Sequence, residues 1–144
     1  MQVTGQCLCG EVTYRAEIKQ DVCLVCHCTE CQQHSGSPYR AVAAVADHGF
    51  ELLTGELRAI QRVADSGRLR ERAFCPACGT NLYAADAGGG GFMGLRLGTI
   101  EQRAELVPRV QIWCRSAQPW ALLPGVPQFP GQPTFEELTA LLQG

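Results

Sequence analysis

Cys26-His27-Cys28-Thr29-Glu30-Cys31 places three thiols within six residues, and Cys23 stands three positions upstream. Hydrophobic packing asks for no such spacing, whereas a soft metal does, since thiolate sulfur is a preferred ligand of zinc in closely spaced sets. Two glycine-flanked pairs extend the pattern. Gly5-Gln6-Cys7-Leu8-Cys9-Gly10 lies near the start, and Phe74-Cys75-Pro76-Ala77-Cys78-Gly79-Thr80 lies in the second half. Glycine lets the backbone turn sharply enough to aim two sulfurs at one point. Cys7, Cys9, Cys75 and Cys78 therefore make the four ligands of a closed, structural zinc. Cys26, Cys28 and Cys31 are left as three ligands with one position over, the arrangement of a zinc that binds something. The alternative closes this second set with Cys23 or His34 and makes both sites structural. His27, between two ligands, is expected to point away from the metal, in a surface or packing role. Cys114 reads as a small buried hydrophobe and Cys23 as a spare thiol.

The elements that must hold these residues are mostly strands. Glu11 to Ile18 alternates, with Val12, Tyr14, Ala16 and Ile18 on one face, as a half-buried strand does. A break is expected around Asp21. Gln32 to Pro38 suits a short helical turn ending at Gly36, and Tyr39 to Ala46 an apolar strand buried on both faces, interrupted only by Arg40. Phe50 to Thr54 reads as a separate short strand. Arg58 to Val63 and Arg68 to Phe74 form a hairpin around Ala64-Asp65-Ser66-Gly67. Its second arm sets Arg68, Arg70 and Arg72 on one face, read as solvated rather than as a carboxylate site. Gly88 to Gly91 is a loop, Phe92 to Leu97 alternates again, and Val107 to Trp113 suits an edge strand interrupted by Pro108. A proline-rich tail ends in a short helix, with Thr134 and Glu137 as its capping box and Phe135, Leu138, Leu141 and Leu142 on one face.

Composition bounds the rest. At 144 residues, 46% hydrophobic and 18% charged, the chain is expected to form one domain over 1–144, with a core about 5–130 and the tail and short helix at 131–144. A net charge of −2 and a pI near 5.9 exclude the basic footprint of a nucleic-acid binder, leaving a small molecule or another protein as partner. No apolar run approaches a membrane span and no secretory signal opens the chain, so a cytoplasmic location with reduced thiols is expected. The odd count of nine cysteines fits that reading better than a disulfide framework.

In order and spacing, CxCG, CHCxxC with a following Ser-Gly-Ser, FCxxCGT, and a late Ile112-Trp113 with Trp120 beyond resemble the glutathione-dependent formaldehyde-activating enzyme family, whose domain is shared with centromere protein V. The resemblance implies a mostly β fold of small zinc-bearing antiparallel sheets, the β-tent type. It also implies two zinc ions per chain, one structural on Cys7, Cys9, Cys75 and Cys78 and one open on Cys26, Cys28 and Cys31. The reaction implied is carbon-sulfur lyase chemistry: a thiol such as glutathione adds to formaldehyde or a related aldehyde, giving S-hydroxymethylglutathione. His34 and Tyr39, just after the cluster, are the candidates for the catalytic proton transfer. Gln111 departs from the His expected there in many members. Family membership alone does not set the substrate, and a non-catalytic zinc module that holds a thiol or a protein stands as the alternative.

Overall fold

The computed structural model describes residues 1–64, 66–89 and 91–143. The turn expected at Asp65 and the glycine loop at Gly90 therefore lie partly outside the described residues. The chain packs as two compact units, one made of Met1–Gln20 and Val42–Leu106, the other of Asp21–Ala41 and Val107–Gly144. The strands are β1 (Gln2–Gln6), β2 (Thr13–Cys26), β3 (Arg40–Thr54), β4 (Arg58–Val63), β5 (Leu69–Phe74), β6 (Asn81–Asp86), β7 (Met93–Arg96) and β8 (Val110–Ile112). The helices are α1 (Thr29–Ser35) and α2 (Phe135–Gln143), and four short 3-10 turns complete the elements. The fold is thus mostly β with a short C-terminal helix.

In the first unit the strand order is β1-β2-β3-β7-β6-β5-β4. β1 pairs with β2, β3 with β7, and β6 with both β7 and β5, all antiparallel; β4 closes the path on β5 as an antiparallel hairpin. Val12, Tyr14, Ala16 and Ile18 are all buried, as their alternation requires. Tyr14 anchors an aromatic chain, its ring 5.3 Å from that of Phe50, which is 5.1 Å from Tyr83. Gly5 is there because a side chain on β1 would collide with the Tyr14 phenol and the Thr99 carbonyl. The Tyr14 hydroxyl pairs instead with Thr99 Oγ1 at 2.7 Å.

In the second unit the last residues of β2 pair in parallel with β8, Leu24 opposite Val110 and Cys26 opposite Ile112. β2 itself runs on through Asp21, where a break is expected from the sequence. Likewise β3 runs unbroken from Arg40 to Thr54, with His48 in a left-handed conformation (φ 55°) inside a single strand. β6, absent from the sequence reading, is signalled only by the short apolar run Leu82-Tyr83-Ala84-Ala85. α1 starts three residues earlier than the sequence suggests, because Cys28 caps it, and ends as expected at Gly36, which adopts the left-handed conformation (φ 65°). The α2 capping box forms reciprocally: Thr134 N donates to Glu137 Oε2 at 2.7 Å and Glu137 N to Thr134 Oγ1 at 3.1 Å. Phe135 leaves the expected apolar face of α2 and is exposed, while Leu138, Leu141 and Leu142 are half-buried.

Candidate metal centres

The first cluster is built from two tight turns in the first unit. Cys7 N donates to Val12 O and Gly10 N to Cys7 O, closing the turn that carries Cys7 and Cys9. Cys75 N donates to Thr80 O and Gly79 N to Cys75 O, closing the other. Gly10 and Gly79 take the left-handed conformations (φ 82° and 79°) that these turns need. Thr80 ties the two together: its Oγ1 accepts from Leu8 N at 3.0 Å, which leaves its hydroxyl hydrogen for Cys78 Sγ at 3.2 Å. The four sulfurs lie within 4.8 Å of one another. Cys7 and Cys9 are 3.5 Å apart, Cys9 and Cys75 3.9 Å. A tetrahedron of zinc–sulfur bonds of about 2.3 Å sets its sulfurs about 3.8 Å apart, so the donors fit that ion. The Thr80 hydroxyl, with backbone donors, holds the Cys78 thiol down to about 5, whereas Cys9 is pushed up to about 12. At Cys9 the backbone donor of Glu11 lowers the value, but the hydrogen bonds with Cys7 and the other two thiols outweigh it.

The second cluster forms where β2 hands over to α1. Cys26 is the last residue of the strand, Cys28 the N-cap of the helix, and Cys31 lies in its first turn. Cys28 Sγ accepts from Cys31 N at 3.3 Å, a capping contact that a thiolate makes far better than a thiol. The three sulfurs lie within 4.8 Å of one another, and neither Cys23 nor His34 joins them within that distance. Hydrogen bonds with Cys28 and then Cys31 raise the Cys26 thiol above its ordinary range, and burial adds to them. Cys28 is raised as well: its hydrogen bond with Cys26 lowers it, but Cys31 and burial prevail. Three sulfurs in one place resist common ionisation until a cation joins them, and this donor set suits a soft divalent ion.

The residues around this cluster were mostly hidden from sequence reasoning. His27 is fully buried, not at the surface, and its Nε2 lies 3.0 Å from Gln111 Oε1. Gln111, also fully buried, has its orientation set by the chain: its Nε2 donates to Leu123 O and Val126 O, and its Oε1 accepts from Leu123 N. His27 Nε2 must then be the donor, which sets the ring's tautomer. The replacement of an expected His by Gln111 is the only sequence signal for this network. Gln32 Nε2 donates to His27 O and Ser116 O, and Gln118 Nε2 to Gln32 Oε1, so amides brace the turn that carries the ligands. Tyr39 presents its ring edge-on to His27, centroids 5.5 Å apart. His34 sits in the last turn of α1, where its Nδ1 accepts from Arg40 Nη2. Cys23 is buried, its thiol pushed up to about 11 by desolvation. Cys114 is half-buried rather than buried. Of the Arg68, Arg70 and Arg72 face, Arg68 and Arg70 pair with Asp86 at 3.3 and 2.7 Å, and Arg72 is buried rather than solvated.

Fold and clusters together define a cysteine-rich, mostly antiparallel β protein with two thiol groupings of metal-holding geometry. The chain belongs to the glutathione-dependent formaldehyde-activating enzyme family, which matches residues 2–116. It is 32% identical over 85 residues to an uncharacterized lyase of Schizosaccharomyces pombe, a match covering 59% of this chain and 58% of that protein's length. A crystal structure of a Rhodobacter sphaeroides protein shares the fold at a TM-score of 0.57 and 18% identity, over 88% of this chain and 99% of that one. Among the described residues no helix is long and apolar enough to cross a membrane.

Proposed function

We propose that this protein is a zinc-dependent carbon-sulfur lyase that joins a thiol, of the glutathione type, to formaldehyde or a related small aldehyde. Zinc on Cys7, Cys9, Cys75 and Cys78 serves structure in this reading, and zinc on Cys26, Cys28 and Cys31 serves the reaction. One observation carries it: the seven cysteines separate into a set of four, which satisfies a tetrahedral ion, and a set of three, which leaves it one ligand short. Zinc bound by the three would supply a position where an incoming thiol is held as its thiolate near neutral pH.

The chain's own residues then have distinct tasks. The reaction forms one carbon–sulfur bond as the thiolate sulfur attacks the carbonyl carbon; the carbonyl electron pair moves to oxygen, and one proton must reach that oxygen. Arg40, a donor only, occupies His34 Nδ1, so the neutral ring carries its hydrogen on Nε2 and can donate a hydrogen bond to the new oxygen; the proton that ends on that oxygen balances the one the thiol gave up. Tyr39, half-buried beside His27, offers a second donor, its hydroxyl. The whole of 1–144 acts as one functional domain in this reading, and a glutathione-type thiol and an aldehyde are its partners.

Exchange NMR between formaldehyde and glutathione tests the proposal, with the wild type, Cys28→Ser and buffer side by side. Acceleration by the wild type and its loss in Cys28→Ser are expected. Equal rates in all three samples would leave a zinc-stabilised module without turnover on this substrate pair.

A further inference from the structure

Arg40 is the one charged residue in the run Tyr39 to Ala46, and it is 6% exposed. Burying a guanidinium costs several kcal/mol unless anions or hydrogen-bond acceptors meet it. Two acceptors are in place, both on α1 and three residues apart, hence on one face of that helix. Nη1 donates to Cys31 Sγ at 3.7 Å, and Nη2 donates to His34 Nδ1. The planar fork of an arginine spans two such acceptors at once, which the single ammonium of a lysine does less well.

We propose that Arg40 is the charge-compensating, positioning residue of the three-cysteine centre: it holds Cys31 as a metal-bound thiolate and lets the fourth position accept an anionic thiolate. The proposal rests on the zinc reading above. Its logic is charge. A divalent ion on three thiolates carries a net −1, and an incoming thiolate makes it −2, repelling the ligand the site must take. The guanidinium brings these values to 0 and −1. The four-cysteine cluster is balanced differently. Its Cys9 is exposed to solvent, and its sulfurs take hydrogen bonds from Val12 N and the Thr80 hydroxyl. The three-cysteine centre is half-buried, and an N–H···S bond from a fixed cation does there what water does at the other cluster. The same fork sets the His34 tautomer, so one side chain orders a cysteine sulfur and a hydrogen-bond donor together.

The test uses the full chain loaded with metal. A chromophoric chelator competes for the more readily removed ion in the wild type, Arg40→Gln and Arg40→Lys. Cobalt-loaded samples are then titrated with 2-mercaptoethanol or with imidazole, and the sulfur-to-cobalt charge-transfer band is followed. Arg40→Gln should weaken retention of that ion by about 10- to 100-fold, the usual effect of losing a residue behind a metal ligand. It should weaken thiolate binding to a like degree and leave binding of neutral imidazole nearly unchanged, with Arg40→Lys, which keeps the charge but loses the two-pronged contact, recovering only part of the loss. Equal metal and thiolate affinities in Arg40→Gln and wild type would overturn the proposal. If Arg40→Gln loses the four-cysteine ion as well and so fails to fold, the wild type decides. Loaded with NMR-active cadmium, it should show a coupling between the metal and an Arg40 Nη hydrogen across the N–H···S bond, and its absence counts against the proposal. A wild type that takes up one ion instead of two defeats the zinc reading and this inference together; two ions with indifferent variants defeat the inference alone.

Discussion

Replacing Gln111 with Met keeps the side chain's length and removes its amide, and the structure sets the cost. Four groups lose a partner: His27 Nε2–H at 3.0 Å, Leu123 N at 2.9 Å, Leu123 O at 2.9 Å and Val126 O at 3.0 Å. A buried donor left without a partner costs about 1–3 kcal/mol. His27 is wholly buried and bears that penalty in full, whereas Leu123 and Val126 are half-buried, so water can partly replace the amide there. Taking about 2 kcal/mol for His27 and somewhat under 1 kcal/mol for each of the other three gives a loss of about 4 kcal/mol. Denaturant unfolding of the metal-loaded protein measures it. Because His27 separates Cys26 from Cys28, the same variant should also give up the three-cysteine ion to a mild chelator faster than wild type. Gln111→His, restoring one donor and one acceptor, should fall between the two. A loss below about 1 kcal/mol in Gln111→Met, with unchanged metal release, would refute the view that this amide braces the ligand turn.

On the zinc assignment proposed above, Cys75→Ser should leave the chain largely unfolded, since a structural zinc contributes about 10 kcal/mol or more, whereas Cys31→Ser should keep its circular dichroism while metal analysis shows one ion fewer. Burial pushes the Tyr14 phenol up to about 12, with the Thr99 hydrogen bond opposing it. Its stabilising contribution is present below the unfolded value of about 10 and is lost as pH rises through about 12, because the unfolded chain ionises first; the loss is about 3 kcal/mol, and stability measured from pH 9 to 12 should fall less steeply in Tyr14→Phe. Gly5→Ala forces a methyl group against the Tyr14 phenol and the Thr99 carbonyl, and thermal unfolding should report a loss of about 1–3 kcal/mol or more.

Short-range features were legible in the chain. The alternation from Val12 to Ile18, the α2 capping box, the glycine end of α1 and the two glycine-flanked thiol turns each depend on residues within a few positions of one another. The division of seven cysteines into four and three followed from spacing and from zinc's appetite for four ligands, and the fold brings those same sulfurs together in those sets. What local pattern could not supply was any partner far along the chain. β2 runs past its expected end to Cys26, and its last three residues pair with β8, some eighty residues later. Of the surface and packing roles the sequence left open for His27, the fold selects packing, through a hydrogen bond to Gln111, 84 residues away. Arg40 read as a flaw in an apolar strand until α1 folded back to offset its charge with Cys31 and His34. The grouping of the sulfurs is a matter of residue type and local turn geometry, which the sequence carries by itself. The charge and hydrogen bonds that surround those ligands come from segments joined only by tertiary packing, so the structure alone decided them.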